Sequence, residues 1–131
     1  MPLDEALRTF ASGRNLAAFT TLFEDGQPQT HIMWVDADSD HLLINTEVHR
    51  AKFRNVQRDP RVAVTVWDVD DPYRYVEVRG EVVEVVRGPD ALEHIHACSQ
   101  RYFGRPYDEG QISSERAILR IAPSKVHRFG V

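Results

Sequence analysis

The sequence predicts a mainly-β protein, an antiparallel barrel with peripheral helices. Three observations carry this. About seven segments alternate apolar with polar side chains or are rich in β-branched residues. Their connections are short and hairpin-like, most plainly at Asp25-Gly26. Strands do not alternate with long helical segments, as a doubly wound parallel sheet would require.

Leu3, Ala6, Leu7 and Phe10 recur at helical spacing, and Gly13 closes that short first helix. A strand is expected over 15–23, then the Glu24-Asp25-Gly26 turn, a second strand over 29–35 and a third over 42–46, an opening that reads as a meander. The acidic stretch Asp36–Asp40 between the last two reads as a turn. His49–Arg58 is a short amphipathic helix with Ala51, Phe53 and Val56 as its apolar positions, stopped by Asp59-Pro60. Arg61–Trp67 is a fourth strand. A fifth runs from Tyr75 to about Val86, where the alternation of Val76, Val78, Gly80 and Val82 loses phase just after Gly80; a bulge is expected there. Gly88-Pro89-Asp90 opens a helix whose less polar face holds Leu92, Ile95, Ser99, Tyr102 and Phe103. Pro123 separates two expected final strands, 117–121 and 125–129.

At 131 residues the chain fits one domain, 1–131, and its 42% apolar and 27% charged residues are an ordinary globular balance. A core of this size leaves much surface exposed, which pairing of two copies would relieve. The net charge of −4 gives no general basic character for nucleic acid, so any anion site must be local. Cys98 is the single cysteine and forms no internal disulfide. Residues 1–15 contain early acids and no long apolar run, and no stretch reaches the ~20 apolar residues of a membrane span. A cytoplasmic protein is expected.

The most informative segment is Asn45-Thr46-Glu47-Val48-His49-Arg50-Ala51-Lys52-Phe53-Arg54-Asn55, where a strand leads into a helix start crowded by Arg50, Lys52 and Arg54. Cations oppose the positive end of the helix dipole, so three of them together point to an anion, for which the free backbone N–H groups add donors. Arg50 suits a two-bond grip on phosphate and Lys52 a point charge. The plainer alternative is a set of solvated surface cations offset by Glu47 and Asp59.

In order and spacing, several pieces resemble the pyridoxamine-phosphate-oxidase-like superfamily of flavin and deazaflavin proteins. They are Asp25-Gly26-Gln27-Pro28 before Trp34-Val35-Asp36, then Leu43-Ile44-Asn45-Thr46, Arg50-Ala51-Lys52-Phe53-Arg54-Asn55-Val56, Arg58-Asp59-Pro60-Arg61-Val62, and Asp71-Pro72-Tyr73-Arg74-Tyr75-Val76-Glu77-Val78-Arg79-Gly80. The pieces are most like the branch that uses the deazaflavin coenzyme F420. The resemblance implies an FMN-binding-like split β-barrel, homodimeric, with cofactor sites between the subunits. It implies that Arg50 and Lys52 hold the cofactor phosphate, that Asn45 and Thr46 line the site, that Ile32 and Met33 lie against the tricyclic ring, and that Asn55 helps shape the pocket. Trp34 and Trp67 are candidate walls. Pyridoxine-phosphate oxidases proper also carry a C-terminal substrate-binding segment; none is identified before Val131, so vitamin B6 oxidation is not expected.

The function implied is hydride transfer from reduced F420 to a small organic substrate. The alternatives are an FMN-binding oxidoreductase of the same fold and a non-catalytic cofactor-binding protein. No catalytic residue is singled out: a proton could come from a Tyr, from a His such as His31, or from solvent. For F420, Arg54, Arg58 and Arg61 could line a groove for its oligoglutamate tail, or be plain surface charges. No metal site is expected, because Asp90, His94 and Cys98 share a helix stripe but spread over three turns. Cys98 with His94 lacks a nearby oxyanion hole for nucleophilic work.

Overall fold

The computed structural model describes residues 2–131. Its strands are β1 (Leu16–Leu22), β2 (Pro28–Trp34), β3 (Asp36–Ala37), β4 (Leu42–Glu47), β5 (Arg61–Trp67), β6 (Tyr75–Arg87) and β7 (Arg116–Phe129). The helices are α1 (Glu5–Ala11), α2 (Ala51–Arg58) and α3 (Pro89–Phe103), with a short 3-10 turn at Glu109–Gln111. All strand pairs are antiparallel, in the order β2-β1-β5-β6-β7-β4-β3. No described helix is long and apolar enough to cross a membrane.

Alternation decides which faces turn inward. Ala17 and Phe19 of β1, Val62, Val64 and Val66 of β5, Val76 and Val78 of β6, and Ala117, Leu119 and Ile121 of β7 fill one core, capped by Leu7 and Phe10 of α1 and by Phe53 and Val56 of α2. All six residues of β4 are buried. Leu42 and Ile44 belong to the barrel core, while Leu43 packs outside it with Ile118 and with Ala91 of α3. β4 therefore supports two packed layers.

The Asp25-Gly26 hairpin forms as expected, with Gly26 at φ 88°, a backbone conformation that favours glycine. Two expectations about the strands need correction. The opening is not a meander, because β4 pairs with β7 and not with β2. Asp38 accepts from the backbone N–H of Asp40 and His41 and bends the chain so that β3 folds back only onto β4. Nothing local in the sequence encodes the distant partner that β4 takes. The second correction is that Pro123 does not divide the last segment. β7 is continuous, and Pro123 stands opposite Gly80 at the expected bulge, where its missing N–H is tolerated.

Gly80 is there because the strands touch. A Cβ at this position would lie 2.3 Å from the Ala122 carbonyl oxygen. Gly80→Ala is expected to lower stability by about 1–3 kcal/mol through overpacking against backbone, read as a lower urea midpoint at unchanged slope.

The expected face of α3 is also rotated. Ala91, Ile95, Cys98 and Ser99 are the buried positions, and Phe103 is 62% exposed. The small Ala91 lets the helix settle close on β4 and β7, which brings its polar residues to the barrel's split.

Candidate functional site

Strands β2 and β3 form the two sheet edges, and between the β2 edge, β4 and α3 lies a cavity of about 470 Å³. β2 contributes His31, Ile32, Met33 and Trp34; β4 contributes Asn45, Thr46 and Glu47; α3 contributes His94, Ile95 and Cys98. Arg50, Lys52, Tyr107 and Arg116 complete the wall.

Six sequence-selected residues thus meet at one cavity: Ile32, Met33, Asn45, Thr46, Arg50 and Lys52. Asn55 does not join them. Its Nδ2 donates to Thr21 Oγ1 at 3.0 Å and its Oδ1 accepts from Arg58 at 2.9 Å, so it ties α2 to β1. A buried amide must satisfy its polar atoms, and here it does so within the protein. Trp34 lines the cavity and Trp67 does not. Trp34 stacks on Tyr102, with centroids 5.1 Å apart and planes at 6°, and meets Phe103 and Tyr107 edge-on.

The cationic end follows from α2. Arg50 occupies its N-cap without a side-chain capping bond, and no acid lies in the first turn. Lys52, the second residue of the helix, is only 5% exposed and has neither a hydrogen bond nor an ion pair among the described residues. Burial pulls its pKa from 10.5 down to about 8, and the charges of Arg50 and Arg116 add to that. His31 faces the same charges; burial, then Lys52, then Arg50 hold it below the usual imidazole value. The Lys52 side chain is buried but its ammonium keeps access to the cavity, where an unpaired charge among other cations is costly unless an anion completes the site.

Opposite lies a network that the sequence did not reveal. Arg116 Nε donates to Asn45 Oδ1 at 2.8 Å, and Asn45 Nδ2 donates to the Ala91 carbonyl at 2.8 Å and meets His94 Nδ1 at 3.0 Å. A guanidinium only donates and a carbonyl only accepts, so the amide has one orientation and His94 Nδ1 must accept. The neutral ring therefore carries its proton on Nε2, which lies 2.9 Å from Asp36 Oδ2 and 3.6 Å from Cys98 Sγ. Burial works against a second proton, but Asp36 and Cys98 outweigh it and raise the His94 pKa to about 9. That second proton would face the Asn45 N–H, so the two demands oppose each other.

Asp36, His94 and Cys98 present donor atoms within 4.8 Å of one another, a spacing open to a metal ion. The proton inventory argues against one. A metal at Nε2 would have to displace the proton there and, with Nδ1 accepting from Asn45, would leave the ring as an imidazolate. Because Nε2 carries that proton, His94 is not a base toward Cys98. The sequence offered Asp90 as the third member of this stripe; the fold brings Asp36 instead, from a segment that read as a turn.

Asp36 also anchors α3. Arg101 Nη2 lies 2.5 Å from its Oδ1, and Arg101 Nη1 donates to the Val35 carbonyl at 3.0 Å. Burial pushes the Asp36 carboxyl up, but the hydrogen bonds of His94, the Ala37 backbone and Arg101 outweigh it and hold it below the ordinary range. Tyr102 adds a hydroxyl bond to the Asn15 carbonyl.

The family pattern described as pyridoxamine 5'-phosphate oxidase matches residues 3–129 of this chain. Among solved structures, a protein named F420 reductase is 30% identical, with 95% of this chain and 98% of that chain covered and a TM-score of 0.82. A conserved hypothetical protein of Mycobacterium tuberculosis is 26% identical, with 97% and 84% covered and a TM-score of 0.76. A heme storage protein of Vibrio cholerae, 13% identical over 99% of this chain and 96% of that one at a TM-score of 0.67, shares the fold alone.

Proposed function

The chain belongs to the pyridoxamine 5'-phosphate oxidase family, and from that premise we propose that it is an F420-dependent reductase acting on a small organic substrate. The observation that carries this reading is the buried, unpaired Lys52 beside Arg50 at the end of the cavity. It supplies what an anionic, phosphorylated coenzyme needs. The 30% identity with a protein named F420 reductase favours the deazaflavin over other coenzymes of the fold.

In this reading Arg50 and Lys52 hold the phosphate, and Ile32 and Met33 present the β2 edge to the ring. Trp34 and Tyr107 close the wall against water, which orients the reactants and strengthens the electrostatics within. The bound coenzyme would supply the hydride. The chain's own contribution is to bind, to orient and to hold protons at known atoms. Asn45 has its amide committed to Arg116, Ala91 and His94, so its part is to position those side chains.

A homodimer is part of the proposal. It suits the site's position beside the open β2 edge, where Ile32 is 60% exposed. Residence in the cytoplasm is the matching location for such a reductase.

FMN is the second reading, and one observation favours it. Arg58 is spent on the Leu22 carbonyl and Asn55, and Arg61 on a two-bond pair with Asp59. Arg54 in turn donates to the His49 carbonyl. A cationic groove for an oligoglutamate tail has little free charge left there.

Titration of the purified protein with F420 and with FMN, followed by fluorescence, tests both readings. Tighter binding of F420, then hydride transfer to members of a substrate panel, is expected. Tighter FMN binding would select the second reading, binding without turnover a carrier, and binding of neither would sink all three.

A further inference from the structure

Arg116 and Lys52 are both cations of the cavity wall, but their settings differ. Arg116, at the start of β7, is 9% exposed. Its Nε–H is given to Asn45 Oδ1, and its guanidinium lies 5.4 Å from the Tyr107 ring centroid. Nη1 sits 3.5 Å from Glu47 Oε2, too far for a good hydrogen bond, and Nη2 has no partner among the described residues. Because Asn45 is itself fixed by Ala91 and His94, the plane of the fork is set before any ligand arrives. A fixed planar fork with its Nη1–Nη2 end open matches a planar acceptor with two oxygens.

Glu47 decides which charge the fork accepts. Burial pushes its carboxyl up, but the backbone N–H groups of Ser114 and Ser113, at 2.7 Å each, and the charge of Arg116 outweigh this and keep it ionised. Arg116 is therefore partly neutralised already. Arg50 and Lys52 have no carboxylate partner among the described residues. The coenzyme phosphate is drawn to Arg50 and Lys52, whose charges no described carboxylate offsets, and away from Arg116, whose charge Glu47 already offsets in part. That leaves the fixed fork of Arg116 to a small planar carboxylate.

We propose that Arg116 is the substrate-selecting residue of the cavity, receiving the carboxylate of a small planar organic acid at a place separate from the phosphate-binding Arg50–Lys52 pair. The proposal rests on the oxidoreductase reading above and deepens it by naming the substrate class. Sequence reasoning passed over Arg116 because it stands at a strand start with no other cation beside it.

Benzoate and its neutral twin benzamide serve as probes, added to protein carrying the coenzyme it binds and followed by calorimetry. The wild type is expected to prefer benzoate by at least about 10-fold. Arg116→Lys, which keeps the charge and loses the fork, should bring that preference down to about 2-fold while coenzyme affinity changes less than about 3-fold. Glu47→Gln keeps an acceptor for the two serine N–H groups and removes the opposing charge. It should tighten benzoate binding several-fold, a gain that damage to the fold would not produce. Equal binding of the two probes by the wild type overturns the proposal. So does an Arg116→Lys variant that loses coenzyme as severely as a Lys52 variant does, since Arg116 would then belong to the phosphate site. If no coenzyme binds, the oxidoreductase reading fails, and benzoate titrated into the coenzyme-free protein still decides the role of Arg116.

Discussion

Replacing Lys52 with Met is expected to weaken coenzyme binding by about 100-fold, close to 3 kcal/mol, and at the same time to stabilise the ligand-free protein. The two effects have one origin. Lys52 is buried without a counter-ion, and its pKa is pulled from 10.5 to about 8. At neutral pH the folded chain must hold a charge that the unfolded chain carries in water at no such cost. The sign follows from proton counting. Between pH 8 and 10.5 the unfolded state binds more protons at this residue than the folded state does. Stability of the ligand-free protein therefore rises with pH across that window, on the order of 2 kcal/mol. In Lys52→Met this rise should flatten. Urea unfolding at a series of pH values measures it, and fluorescence titration measures affinity. A variant that binds coenzyme as tightly as the wild type would remove the phosphate assignment.

Asp36→Ala should give the largest loss of stability, about 3 kcal/mol or more, because the Arg101 guanidinium and the His94 Nε2–H lose their shared carboxylate acceptor in a half-buried setting. His94 and Arg101 both reach Asp36 from α3 at 2.9 and 2.5 Å. The damage should be local first. Amide exchange in α3 should speed up before that of β5 and β6, and the cavity should lose coenzyme as its α3 wall loosens. Asp36→Asn, which keeps the shape and some hydrogen bonding, should cost less. Since the folded-state pKa of Asp36 lies below its ordinary value, the wild-type anchor holds above that ordinary value and fails as acid titrates the folded carboxylate. A fall in stability at low pH that is equal in Asp36→Asn and wild type would show that other carboxylates dominate acid unfolding.

Much of the architecture is legible where information is local. Alternation locates β1, β2, β4, β5 and β6 to within a residue or two, the phase break at Gly80 locates the bulge, and the cationic helix start marks one end of the cavity. What escaped was non-local. The partner of β4 is set by a strand about seventy residues away, beyond the reach of any window. The Asp36–His94–Arg101 and Arg116–Asn45–His94 contacts join segments that share no pattern in sequence. Asn55 sits in the most informative motif yet faces the protein interior, because a motif records that a residue matters and not which way it points. The buried face of α3 keeps the expected Ile95 and Ser99 but turns toward Ala91 and Cys98 for a related reason: close packing against β4 selects the small Ala91, which carries little weight in a hydrophobicity pattern.

The double duty of β4 bears on how such a protein can change. Residues of that strand serve alternately the barrel interior and the layer beneath α3, and all six are buried, so no substitution there is private to ligand choice. New preferences must arise instead along the rim, at Ile32 on its open edge or at Tyr107 in its loop, where a replaced side chain disturbs few neighbours. A laboratory lineage selected for a new substrate should accumulate its early changes at those rim positions and leave the central strand intact.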